Sequence, residues 1–114
     1  MLYGGTLALS KSAAACVSAI QWQDQRRVIT IGRRAIMLTP IEYRLLLPMR
    51  HGLPVTYRQL ARAAYNYSLD EKIRALMDKH IDRIRGKLSG SGFYVYCVLS
   101  YGYILLPATS PDER

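Results

Sequence analysis

Lys72, Lys79 and Arg83 stand seven and four residues apart, so winding the segment into a helix brings them nearly into register. Between them Ile73, Met77, Ile81, Ile84 and Leu88 recur at steps of three and four and line the other side. Residues 70–88 therefore read as an amphipathic helix, anchored in a core by one face and offering cations on the other. A convex ridge of cations suits the major groove of double-stranded DNA, where one arginine can donate two parallel hydrogen bonds to a guanine edge. The same charge pattern by itself also describes many solvated surface helices.

Other chemistry is sparse. The chain shows no nucleophile–base pair, no paired acids and no phosphate-cradling glycine loop, so the sequence does not indicate an enzyme. Cys16 and Cys97 lack CxxC spacing, and the two histidines lie far apart, so neither a metal site nor a cofactor is implied. Two buried free thiols in a reducing cytoplasm are expected.

The 114 residues suffice for one compact domain and not for two. Sixteen Lys and Arg against eight acids give a net charge of +8 and a pI near 9.8. That is the electrostatic footprint of a nucleic-acid binder, although membrane-surface and ribosome-associated proteins share it. No apolar run is long enough to cross a bilayer. Residues 7–19 end in small residues like a secretion signal, but Lys11 interrupts them and no basic leader precedes an unbroken apolar stretch. A cytoplasmic protein is expected.

The elements that must position the basic helix follow from local signals. Residues 17–22, 27–31 and 35–38 read as three strands of a small antiparallel meander. Residues 1–16 form either an added edge strand or a loose leader. Three helices follow, each opened by a capping box: Thr39 with Glu42, Thr56 with Gln59, and Ser68 with Glu71. The first is expected over 40–51, stopped at Gly52 and kinked in its last turn by Pro48. The second spans 57–65. The third is the basic helix, weakened near its end by Gly86 by about 1 kcal/mol relative to alanine. After a Ser/Gly connector, residues 93–99 and 103–106 read as a hairpin turning at 100–102, and 107–114 as a polar tail. The fold class is α+β: an N-terminal antiparallel sheet, three helices and a C-terminal β-hairpin, with residues 17–106 as the domain.

This is the order of a winged helix-turn-helix, and three stretches resemble the OmpR/PhoB-type effector domain of bacterial response regulators. Residues 38–46, beginning Leu38-Thr39-Pro40 and ending Leu45-Leu46, resemble that family's "LTPxEFxLL" opening. Residues 81–88, containing Arg85-Gly86-Lys87-Leu88, resemble its "IxxLRxKL" recognition-helix end, and residues 98–103 its "VRGxGY" wing. The resemblance implies sequence-specific binding of double-stranded DNA in transcription regulation, with the third helix in the major groove. By it, Arg83 matches a base-reading arginine and Lys79 a neighbouring position facing base edges. Asp78, His80 and Arg85 match positions that touch the DNA backbone or orient side chains. Lys72, Arg85 and Lys87 are read as phosphate contacts, and Tyr101 as a sugar or phosphate contact at the wing turn. His80 also borders the apolar stripe, where a packed histidine is the commoner case.

The resemblance has gaps. Leu99 stands where the family's wing usually has arginine, and Ile104 replaces a common basic residue, so both are expected to pack within or beside the hairpin. Asp82 sits where a basic residue is frequent and would repel a phosphate. A receiver domain usually precedes this domain in the family, and 16 residues stand in its place; an excised effector domain and a free-standing regulator are both compatible with that. A homodimer on DNA is a further expectation. The alternative function is a winged-helix module that docks to RNA polymerase or a partner regulator. Residues 65–69 resemble the family's polymerase-contacting loop, and Tyr65, Asn66 and Tyr67 are its candidates.

Overall fold

The computed structural model describes Val17 and residues 19–108. The expectations for residues 1–16, Cys16 included, and for the tail beyond Ala108 lie outside the described residues. Among the described residues from Gln21 onward the fold is α+β, with two three-stranded antiparallel sheets and three α-helices.

β1 (Gln21–Gln23), β2 (Val28–Ile31) and β3 (Arg34–Met37) form the first sheet in the order β1-β2-β3. Trp22, Ile29 and Ile36 share one cross-strand row and turn inward, Ile29 and Ile36 into the core and Trp22 against it. The first strand begins at Gln21, not Val17. Val17 and Ile20 are both buried although three residues apart, and the Ile20 N–H donates to the Val17 carbonyl at 3.0 Å. That spacing belongs to a turn, because strand alternation would send the two to opposite faces.

α1 (Pro40–Leu46) opens with the expected capping box: Glu42 N donates to Thr39 Oγ1 at 3.2 Å and Thr39 N to Glu42 Oε1 at 2.9 Å. Pro48 ends regular helix earlier than residue 51; the chain tightens into a 3₁₀ turn over Leu47–Met49. The two-residue strand β4 (Val55–Thr56) is too short to show alternation and escapes a reading by pattern. α2 (Tyr57–Tyr65) carries the second capping box and ends at Asn66 in the left-handed region.

α3 (Glu71–Leu88) is capped by Asp70, whose carboxylate accepts from Ile73 N at 2.8 Å, and not by Ser68. The expected third box does not form, and a single-sided cap two residues later takes its place: the backbone is still extended at Asp70, so the free N–H groups lie beyond the reach of Ser68. Met77, Ile81, Ile84 and Leu88 pack from α3 onto Leu45, Leu46 and Leu60 in a core that Val95 and Leu105 complete. Each such side chain contributes roughly 1.5–3 kcal/mol when fully buried, which seats α3 firmly.

β5 (Phe93–Val98) and β6 (Gly102–Pro107) make the C-terminal hairpin, and β4 joins β6 to give the order β4-β6-β5. Pro107 belongs to β6, one residue into the expected tail. A Cβ on Gly102 would stand 1.8 Å from the Val55 carbonyl oxygen, so only glycine lets β4 close on the hairpin.

Candidate nucleic-acid interface

The side of α3 turned from the core carries Lys72, Ala75, Lys79, Asp82, Arg83 and Gly86, all exposed. Lys72, Lys79 and Arg83 make the cationic ridge expected from their spacing. Nothing lies within 4 Å of where a Gly86 Cβ would sit, so internal packing does not demand glycine there. Asp82, on the same side, is held by Arg85 at 3.1 Å, which offsets its charge in part.

The other two expected contacts of this helix are turned inward. Arg85 donates from Nε to the Val95 carbonyl at 2.8 Å, and its guanidinium lies 5.1 Å from the Tyr94 ring centre and 5.8 Å from that of Tyr103. It bolts α3 to β5. Lys87 donates from Nζ to Glu42 Oε1 at 2.6 Å, and Glu42 is only 1% exposed. Burial by itself raises a carboxyl pKa, but the Lys87 ammonium and the bonds from Thr39 more than reverse this and hold Glu42 below its ordinary value. Both cations therefore have internal partners, which a phosphate role would have to displace.

His80 is half-buried, its ring 6.3 Å from that of Tyr65, with Nδ1 buried and without a partner in the structure. Burial, and then the nearby Arg83 charge, push its pKa down, so it is neutral at pH 7. Its ring packs beside that of Tyr65. Tyr65 likewise belongs to the periphery of the core, its hydroxyl buried and its pKa pushed up to about 12 by burial. Asn66 ends α2 with φ 58°, its N–H donating to the Arg62 carbonyl at 3.1 Å. Of the three candidate loop residues, Tyr67 alone presents a largely exposed aromatic ring, at 69%.

The wing departs from expectation at its tip. Leu99 is 88% exposed, so it does not pack in the hairpin, whereas Ile104 is half-buried opposite Tyr96. Ser100 adopts φ 60°, placing the turn between Leu99 and the exposed Tyr101. The Tyr101 carbonyl accepts from Tyr57 N at 3.0 Å, pinning the turn to the start of α2. Cys97 also departs from expectation: it is exposed, 3.6 Å from the Tyr57 hydroxyl.

Two orienting groups tie α3 to the rest of the fold. Arg74 lies 3.6 Å over the Tyr57 ring and 3.5 Å from Asp78, which accepts a short hydrogen bond from the Tyr103 hydroxyl. This ties the first half of α3 to α2 and β6. Arg34, on β3, donates to the Ser89 carbonyl at 2.6 Å and the Lys87 carbonyl at 3.3 Å, closing the C-terminal end of α3. Its partners are more than fifty residues away, and no short-range spacing points to them.

Among the described residues, no helix is long and apolar enough to cross a membrane, and no cluster of His, Cys, Asp or Glu forms a candidate metal site. No protein-family model matches the chain, and no curated protein matches it. Solved structures do. The DNA-binding domain of CpxR from E. coli is 22% identical, covers 81% of this chain and 94% of its own, and superposes with a TM-score of 0.65. The Klebsiella pneumoniae RstA DNA-binding domain, in complex with the RstA box, is 19% identical over 79% of this chain and 93% of its own, with a TM-score of 0.63. The DNA-binding domain of Bacillus subtilis CssR is 21% identical over 76% and 99%, with a TM-score of 0.61. The chain has the winged helix-turn-helix fold of OmpR/PhoB-type response-regulator DNA-binding domains.

Proposed function

We propose that the protein is a cytoplasmic transcription regulator that binds double-stranded DNA at specific sequences, with α3 in the major groove. The observation that carries this reading is the exposed ridge of Lys72, Lys79 and Arg83 on a helix whose opposite face is immobilised in the core. Arg83 reads a base edge, Lys79 faces the same groove, and Lys72 meets phosphate. Tyr101 contacts sugar or phosphate from the wing. Two copies side by side on a repeated site would double the readable sequence, which is the form a homodimer on DNA would take. Selection from randomised duplex DNA tests the proposal: one enriched motif is expected, with affinity falling as salt rises. Salt-independent binding, or no binding at low salt, would remove it.

A second reading, contact with RNA polymerase or a partner regulator through the α2–α3 loop, is favoured by one observation: the exposed ring of Tyr67. Cross-linking from that position to purified polymerase, with and without DNA, tests it.

A further inference from the structure

α2 and the loop that follows it enclose a groove of about 480 Å³, lined by Arg58, Gln59, Arg62, Tyr67, Ser68 and Leu69. Arg58 and Arg62 are both exposed and sit one turn apart on the same helical face. Like charges so placed repel, and among the described residues neither guanidinium has an acidic partner. The opposite wall is formed by Tyr67, Ser68 and Leu69. Tyr67 stands 69% exposed, and Leu69 is anchored at the edge of the core.

We propose that this groove binds an acidic, amphipathic peptide segment of another protein. The inference rests on the protein-contact reading of the α2–α3 loop and names the chemistry of the partner. Each guanidinium offers a carboxylate two parallel donors, while Tyr67 and Leu69 take an apolar side chain from the same segment. A DNA phosphate would use the arginines and leave the tyrosine and leucine without a role. The groove next door shares Leu69 but is lined by Asp70, Glu71 and Asp78, with Arg74 and Ala75. Acids of the bound segment are therefore directed to the α2 side of Leu69 and repelled beyond it.

The test uses the full chain and three labelled synthetic peptides followed by fluorescence anisotropy: glutamate alternating with leucine, lysine with leucine, and glutamate with serine. Only the first is expected to bind. The double variant Arg58→Gln with Arg62→Gln should weaken it at least about tenfold, a loss of roughly 1.4 kcal/mol, and Tyr67→Ala should weaken it as well. All three positions are exposed, and circular dichroism is to check that the variants fold. Equal binding of the lysine–leucine peptide would leave the loop a docking site but overturn the acidic preference. Binding of none of the peptides would overturn the inference, while polymerase cross-linking from Tyr67 would still judge the broader reading. If the arginine variants lose affinity for random duplex DNA and keep peptide affinity, the arginines are phosphate contacts and the proposal is wrong. Self-association abolished by the arginine variants and indifferent to the peptide would assign the groove to a second copy, and the proposal would likewise fall.

Discussion

α3 carries two sets of cations with opposite fates. Lys72, Lys79 and Arg83 stand exposed on the ridge, while Arg85 and Lys87, two and four residues beyond Arg83, bond to Val95 and Glu42. All five have long basic side chains on a single helix in a protein of net charge +8. What separates them is the neighbouring surface: Arg85 and Lys87 lie on the flanks of the helix, within reach of acceptors on β5 and α1. Position around the helix axis decides whether a basic side chain stays exposed or is taken up by an internal acceptor.

The largest expected effect breaks the inward set. Lys87→Ala leaves the Glu42 carboxylate buried with no cation, and should cost about 2–3 kcal/mol in chemical denaturation. That is less than for a wholly buried pair, because the Lys87 side chain is 37% exposed. Adding Glu42→Gln should recover much of the loss; no recovery would show that Lys87 acts elsewhere. Next comes the outward set. Arg83→Ala should weaken the preferred DNA site by about 1–3 kcal/mol, leave random duplex binding much less affected, and change stability little. Competition of specific against random duplex measures this, and full retention of discrimination would place the recognition surface elsewhere. Thr39→Ala should cost about 1 kcal/mol of stability, with the DNA affinity of the folded fraction near wild type.

Acid should sharpen the same division through folding rather than binding. The His80 pKa is depressed, so its contribution is complete above its ordinary value of 6.5 and declines as pH falls below it. The Glu42 pKa is also depressed, so its contribution persists to lower pH and is lost from about 4.5 downward. Denaturation across this range should show two successive losses, and His80→Gln should remove the upper one alone. The smallest effect is expected at the wing tip. Leu99→Ser, at a side chain 88% exposed, should leave stability within about 0.5 kcal/mol of wild type, and a larger loss would mean that the exposed leucine has a partner in the fold.

Much of this architecture was legible from short-range chemistry. The Thr39 and Thr56 boxes mark the starts of α1 and α2, and the apolar steps from Ile73 to Leu88 define the buried face of α3. The ridge of Lys72, Lys79 and Arg83 follows from that periodicity, because the side opposite a buried stripe is the exposed one. Other features depend on residues distant in sequence. Glu42 meets Lys87 across 45 positions, and Arg34 reaches Ser89 across 55. Spacing gives a side chain's angle around its helix but not what stands opposite it, so Arg85 and Lys87 read as free cations. Ser68 and Asp70 are both good caps, and only the extended backbone at Asp70 chooses between them. At Leu99 the hairpin pattern located the turn, while the direction of the side chain depended on the left-handed residue beside it.

Arg34 makes the N-terminal sheet a direct neighbour of the C-terminal end of α3. Its guanidinium clasps the last carbonyls of α3 from the start of β3, so the sheet cannot slide away without uncapping that helix. Parting β3 from this end of α3 would strip both carbonyls of their donor and fray the helix from its terminus inward.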